Sequence, residues 1–437
     1  MPNCTQEELS FPSFDRRKIE ANFEGGDVSS DGGVLLLREA DRRLGLVEAL
    51  DKVLPDPRHP VFIEHQQVDL LRQRIFGLAL GYEDLNDHDT LRKDLAWQTA
   101  LGRSEVLASD STLCRLEQRV DRKAAVAFHQ VLLEKFIASF NEAPTELILD
   151  FDATDDRVHG NQEGRHFHGY YGDWCFLPLY VFCGEQLLVS YLRPSNIDAS
   201  RHAWAILKLL VQRLRQQWPQ VKIIVRADSG FCRWKMLHWC EWASVDYIIG
   251  LAKNSRLEAL SQPLMETAKA HFASTAQKQR QFAWINYGAA TWDRERRVIA
   301  KAEYTEKGEN PRFVVTSLEG DAQQLYDEVY CARGEMENRI KEQQLGLFSD
   351  RTSCHSWWAN QFRVLLSAAA YVLMETIRRV GLKGTELARA QVGTIRLKLL
   401  KIGTVIIRNT RRIRLLFSSA YPHQQLFKSV CATLAST

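Results

Sequence analysis

TELILDFDAT, residues 145–154, is the stretch on which the fold turns. Its side chains alternate, with Leu147, Leu149 and Phe151 on one face and Ile148, Asp150 and Asp152 on the other, which is the period of two that a β-strand imposes. Two carboxylates therefore share one face of an otherwise apolar strand. Farther on, VKIIVRAD, residues 221–228, is a short apolar run suited to a buried strand, and it also ends on an acid, Asp228. Between the two, after a loop rich in Gly and His, CFLPLYVFCGEQLLVSYL reads as two strands joined by a Gly184-Glu185 turn, and SRHAWAILKLLVQRLRQQW as an amphipathic helix. FCRWKMLHWCEWA then reads as a helix and VDYIIGLA as a strand.

Three hairpin-type strands, a helix, a strand, a helix and a strand is the order of an RNase H-like fold. Outward from this core, residues 29–141 carry helical spacing in VLLLREADRRLGLVEAL, VDLLRQRIFGLALG and AVAFHQVLLEKFIASF. After residue 252 the core pattern stops, and FAWINYGAATW, RRVIAKAEYT and RFVVTSL read as strands. Helical spacing resumes in AQQLYDEVYCARGEMENRIKEQQLGLF and WWANQFRVLLSAAAYVLMETIRRV. The expected class is α/β: a helical N-terminal DNA-binding region (1–143), an RNase H-like mixed-sheet core (144–252), a β-rich insertion (253–322), the second part of the core with a third acid (323–380) and a basic C-terminal region (381–437).

At 437 residues the chain exceeds one compact core, and an apolar share of 45% is that of a folded globular protein. No uninterrupted apolar run approaches the ~20 residues that span a bilayer, and the first thirty residues lack the apolar segment of a signal peptide, so a cytoplasmic location is expected. Nine scattered cysteines, none in a C-x-x-C pair, suggest reduced thiols rather than a disulfide framework or zinc ribbon. The net charge of +3 hides an asymmetry: from Asn338 onward sixteen Lys or Arg face four Asp or Glu, and no acid follows Glu386. Arg408, Arg411, Arg412 and Arg414 crowd the end of this stretch, which is either a polyanion-binding surface or a solvated basic face. SDSTLCRLEQRV, with Ser109 and Asp110 as cap-forming residues, is either a recognition helix or an ordinary bundle helix.

Asp152, Asp228 and Glu337 are the acids from which a metal site can be assembled. In an RNase H-like core the first and fourth strands lie side by side, so Asp152 and Asp228 stand close and repel. A divalent cation relieves the repulsion, and Mg²⁺ prefers such oxygens. Two ions, with Mn²⁺ able to substitute, would activate a water or a 3′-hydroxyl and stabilise the leaving oxygen of a displacement at phosphorus. Tyr330, Arg333, Glu337 and Lys341 fall on one stripe of a regular helix at 100° per residue, placing one carboxylate between two phosphate-binding cations. The same stripe is also what an exposed helix laced with ion pairs would show. Position alone leaves Asp150 and Asp152 as alternatives for the first ligand.

These residues resemble DDE transposases of bacterial insertion sequences, in the group with a Tyr-x2-Arg-x3-Glu-x6-Lys signature. Tyr330, Arg333 and Glu337 match it, while Gln344 stands in place of the final Lys, with Lys341 the nearest cation. DAT at Asp152 is similar to the family's Asp-x-Thr, which favours Asp152 over Asp150, and ADSGF at Asp228 is similar to its second-acid motif. The resemblance spans roughly Glu146 to the C-terminus and implies metal-dependent cutting at element ends and joining of freed 3′ ends to target DNA. It also implies terminal inverted repeats as partners and a homodimer or higher oligomer on DNA. Trp284 and Trp292 would either stack on an unpaired base, as an aromatic of this subdomain does in similar enzymes, or serve the core. His159, His166 and His168 lack a fourth ligand at a recurrent zinc spacing and fit a DNA-contacting or solvated loop. The rival functions are a nuclease on the same fold that stops at hydrolysis, a DNA-binding protein without catalysis, and a two-carboxylate sugar hydrolase.

Overall fold

The computed structural model describes residues 8–436, which divide into two compact units. One comprises residues 8–47, 58–115 and 376–436, and the other Glu48–Pro57 and Leu116–Glu375. Residues 1–7 of the expected N-terminal region, and Thr437, lie outside the described residues.

The larger unit is built on a mixed nine-stranded sheet. In chain order its strands are β1 (Glu146–Ala153), β2 (Leu179–Cys183), β3 (Gln186–Tyr191), β4 (Lys222–Ala227), β5 (Asp246–Leu251), β6 (Gln279–Tyr287), β7 (Arg296–Thr305), β8 (Gly308–Glu309) and β9 (Arg312–Thr316). They lie in the order β6-β7-β9-β5-β4-β1-β2-β3, with β8 paired to β7. β4 runs parallel to both β1 and β5, and the remaining pairings are antiparallel. Leu147, Leu149 and Phe151 pack on one face with Leu207, Leu210 and Leu214 of the helix Ala203–Gln217 and Met236 and Leu237 of the helix Trp234–Trp242. The other face collects Ile224, Ile248, Ile299 and Val314 beneath Tyr326, with Ile148 against them. Burial on both faces explains why β4 and β5 read as continuous apolar runs; β1 is buried as fully, and its alternation comes from the buried acids Asp150 and Asp152.

Residues 253–322 open with a long helix, Ser255–Thr275, capped by the Asn254 side chain on the Leu257 N–H at 3.1 Å. The strands that follow extend the sheet of the core, because β9 pairs with β5 and β7 with β9. FAWINYGAATW is strand only to Tyr287, and its end is a turn in which Trp292 N–H donates to Ala289 O. The stretch after Asp321 departs from one regular helix. A π-helical segment, Leu325–Tyr330, leads through a 3-10 turn, Cys331–Arg333, into an α-helix, Gly334–Lys341, and a second π-helical segment, Glu342–Gly346. Turns of different pitch do not keep 100° per residue, so the single stripe expected from Tyr330 to Lys341 does not hold along its length.

In the smaller unit the N-terminal helices fold together with the C-terminal region. Buried Asp31 accepts hydrogen bonds from Lys401 Nζ at 2.8 Å and from Tyr82 Oη and Trp97 Nε1 at 2.9 Å each. The hairpin Thr404–Arg408/Ile413–Phe417 adds Val28–Ser29 as a third strand. Asn409 closes its tip by accepting from the Arg411 and Arg412 N–H groups through its side chain. The eight cysteines among the described residues are free thiols, and none of the described helices is long and apolar enough to cross a membrane.

Candidate active site

Register puts the first two acids together. Arg226 faces Asp150 and Ala227 faces Phe151 across the parallel β1–β4 pair, so Asp152 and Asp228 leave neighbouring strands at the same edge. Asp228 turns the chain at once, its carboxylate accepting from Gly230 N–H at 2.9 Å, which leaves it half-buried at the start of a short 3-10 turn. Asp152 is 9% exposed, and burial pushes its carboxyl up to about 6; the Arg333 guanidinium opposes the shift, and the charges of Asp228 and Glu337 add to it.

Asp150 is differently employed. Arg226 takes both of its oxygens, one at 2.8 Å, and donates from its remaining nitrogen to Val329 O at 2.6 Å. This arginine thus fastens β1, β4 and the segment leading to Tyr330. Neither strand read by itself marks this role; the signal, Arg226 two residues before Asp228 and Asp150 two before Asp152, becomes readable once the strands are paired.

The third acid arrives through Arg333, which donates to Asp152 Oδ2 at 3.1 Å and to Glu337 Oε1 at 3.0 Å. The helix bearing Glu337 is seated by Met336 and Ile340, both buried, and by Arg339, which pairs with Glu185 at the β2–β3 turn and with Glu342. Gln343 Nε2 donates to Ser190 Oγ of β3 at 3.0 Å. Glu337 and Lys341 face outward, and Lys341 has no ion-pair partner among the described residues. Gln344 donates from its side-chain amide to Asp155 O at 3.0 Å, close behind the first acid. Tyr330 points elsewhere, toward the Asp228 turn: a Cβ on Gly250 would stand 2.5 Å from its hydroxyl and 2.9 Å from Ser229 N.

Among the described residues no three His, Cys, Asp or Glu side chains stand together as a ready metal cluster. The donors nonetheless fit a hard divalent cation in kind, being carboxylate oxygens with a buried, charge-starved member in Asp152. The Arg333 guanidinium supplies positive charge between Asp152 and Glu337.

The other expected contact residues are dispersed. Trp292 packs edge-on against Tyr287 at 5.6 Å with the Arg296 guanidinium 5.3 Å from its ring, and Trp284 carries Arg297 over its face at 4.0 Å. Arg411, Arg412 and Arg414 are exposed on the C-terminal hairpin, but Arg396 donates to Leu78 O and Ala79 O and Arg408 to Gln98 inside the smaller unit. Arg115 is exposed on the eight-residue helix Asp110–Glu117, while Arg119 pairs with Asp56. The Gly- and His-rich stretch forms a small three-stranded sheet, Asp156–Arg157, Asp173–Phe176 and His166–His168, with Phe167 and Tyr170 exposed.

No curated protein sequence matches the chain. Among solved structures it is similar to piggyBac transposase, seen by cryo-EM in a synaptic complex with hairpin DNA, with a TM-score of 0.44 and 10% identity over 85% of this chain and 80% of that one. The family model for the transposase DDE domain, group 1, matches residues 11–437. With nearly its whole length matched, the chain belongs to the DDE-domain transposases of group 1, enzymes that cut and move DNA and generally use divalent metal ions.

Proposed function

We propose that this transposase cuts the ends of a bacterial insertion sequence and transfers the freed 3′ ends into target DNA, with Asp152, Asp228 and Glu337 as its catalytic carboxylates on an RNase H-like core. The observation that carries the reading is Arg333, hydrogen-bonded at once to Asp152 and Glu337, residues far apart in sequence, at the sheet edge where Asp228 emerges. The strand order β3-β2-β1-β4-β5 with β1 and β4 parallel supports the core assignment.

Asp152, Asp228 and Glu337 would hold Mg²⁺, two ions per site with Mn²⁺ as a substitute, which when bound supplies Lewis-acid activation of water or a 3′-hydroxyl. Around it the chain's own groups orient the DNA. Arg333, released from Asp152, grips a phosphate by its fork, and Lys341 places a point charge one helical turn beyond Glu337. Tyr330 borders the Asp228 turn, half-buried Trp292 stiffens the region after β6 and meets DNA with the part of its ring left outside the core, and Arg411 and Arg412 contact the backbone from the hairpin tip. The five sequence-defined regions then become end-binding (1–143), catalysis (144–252 and 323–380), the sheet extension (253–322) and backbone binding (381–437). The partners are the terminal inverted repeats and target DNA, engaged by a homodimer or higher oligomer in the cytoplasm.

The test is a cleavage and joining assay on labelled DNA carrying the element's ends, with Mg²⁺ or EDTA, comparing wild type with Asp228→Asn. Metal-dependent joined products, lost in the variant, are expected. Cut but unjoined DNA would make the protein a nuclease, and binding without any cleavage a DNA-binding protein.

A further inference from the structure

We propose that the cavity beside Asp228 is a second anion site, in which Arg312 and Lys253 grip a phosphodiester of the DNA strand adjoining the one being cut; this rests on the transposase reading above. The cavity, about 110 Å³ and open to solvent, is lined by Ser229, Lys253, Arg312, Phe313, Tyr326 and Tyr330 among others. Its position follows from the sheet. Leu251 at the end of β5 faces Phe313 near the start of β9, so Lys253, two residues past the end of β5, and Arg312, the first residue of β9, come to one mouth. Gly250 brings this mouth against the Asp228 turn, since a Cβ there would meet Ser229 N at 2.9 Å and Asp228 C at 3.2 Å.

The charge in this cavity is not spent internally. Arg312 is exposed and has no ion-pair partner among the described residues; across the β7–β9 pair it faces Lys301, and the Tyr326 and Tyr330 rings, 5.5 Å apart, line the same cavity. Lys253 has one ion pair, to Glu258 at 3.8 Å, with both side chains well exposed, and such a pair contributes little. Two cations over a floor of phenol rings, next to an acid edge that must receive a phosphate, suit a sugar–phosphate unit: the guanidinium fork and the ammonium take the phosphate oxygens, and the rings take the sugar. A carboxylate ligand would meet the same cations, but would have no reason to lie along the path of a strand passing Asp228.

The experiment uses the full chain and duplex DNA carrying the element's ends, with affinity measured across a salt series and nicking and joining scored separately. The variants are Arg312→Gln, Lys253→Gln and their double, with Arg312→Lys and Lys253→Arg as rescues. For the double variant the slope of log affinity against log salt should flatten by about 2, roughly one per lost phosphate contact, with the melting temperature unchanged. The charge-preserving swaps should restore it. Nicking should weaken together with the slope, as expected for a contact beside the cut, whereas loss of joining with nicking and slope intact would move the two cations to target DNA and overturn the assignment. An unchanged slope overturns the proposal, whether or not the variants melt earlier. Failure of the wild type to nick would sink the transposase reading instead, while a flattened slope would still report the anion site.

Discussion

Asp152 is held in the fold against its own preference. Its carboxyl sits at about 6, raised first by burial and further by Asp228 and Glu337, whereas in the unfolded chain it would titrate near the ordinary carboxylate value of about 4. The folded state therefore holds the proton more tightly, so above pH 6 the ionised group weighs against folding, and that burden lifts as pH falls from 6 toward 4. Asp152→Asn should consequently stabilise the metal-free protein at pH 7.5 by about 1–3 kcal/mol, while abolishing DNA cleavage. Urea unfolding in EDTA would show it, with the gain shrinking at pH 5; an Asp152→Asn variant no more stable than wild type at pH 7.5 would contradict the account. A second residue carries a steric constraint. Alanine at Gly250 would drive its Cβ into the Tyr330 hydroxyl and the Ser229 backbone, so Gly250→Ala should cost about 1–3 kcal/mol and disturb the Asp228 turn. Adding Tyr330→Phe removes only the nearer clash, and thermal melts should recover part of the loss; full recovery would mean that Ser229 moves freely.

At the scale of elements, the helix Gln67–Leu80 illustrates how a polar group is tolerated in a core. His88 packs against it, fully buried, between Gln73 Nε2 and Arg74 Nη1 at 3.3 Å each, and burial with the Arg74 charge pushes it down to about 3. Neutral His88 contributes fully above its unfolded value near 6.5, and that contribution is lost as pH falls from 6.5 toward 3, by up to ~1.4 kcal/mol per unit. Melting temperature should drop through this window, and His88→Gln should flatten the drop; parallel pH profiles for the two proteins would exclude His88 as its source. Which elements were legible follows the same local logic. TELILDFDAT, RRVIAKAEYT and the Gly184-Glu185 hairpin were readable because alternation and a glycine at φ 57° are properties of a few adjacent residues. The π-helical and 3-10 turns around Arg333 were not, because the segment is seated by Tyr326 packing on a sheet assembled from distant strands. The Arg226 fork on Asp150, and the cavity cations, needed strand register as well.

For the molecule as a whole, the question is how much of the C-terminal charge is free to meet DNA. Counting charges treats every Lys and Arg after Glu386 alike, but pairing divides them: Lys401 belongs to Asp31 and Arg396 to the helix end at Leu78 and Ala79. Arg411 and Arg412 are exposed, with their backbone held by Asn409 so that the turn is formed before any ligand arrives. Only cations of this second kind can release counterions from a phosphate backbone without first breaking the fold. Arg411→Gln with Arg412→Gln should therefore flatten the salt dependence of DNA affinity by about 2 and leave the melting temperature in place, whereas Lys401→Gln should leave the slope alone and lower the melting temperature by stranding Asp31. Binding isotherms at several salt concentrations, set beside melting curves for both proteins, would decide it. Should Lys401→Gln flatten the slope as strongly as the tip substitutions do, the division between structural and DNA-facing charge would be wrong, and the basic tail would act as the undivided surface that its composition suggests.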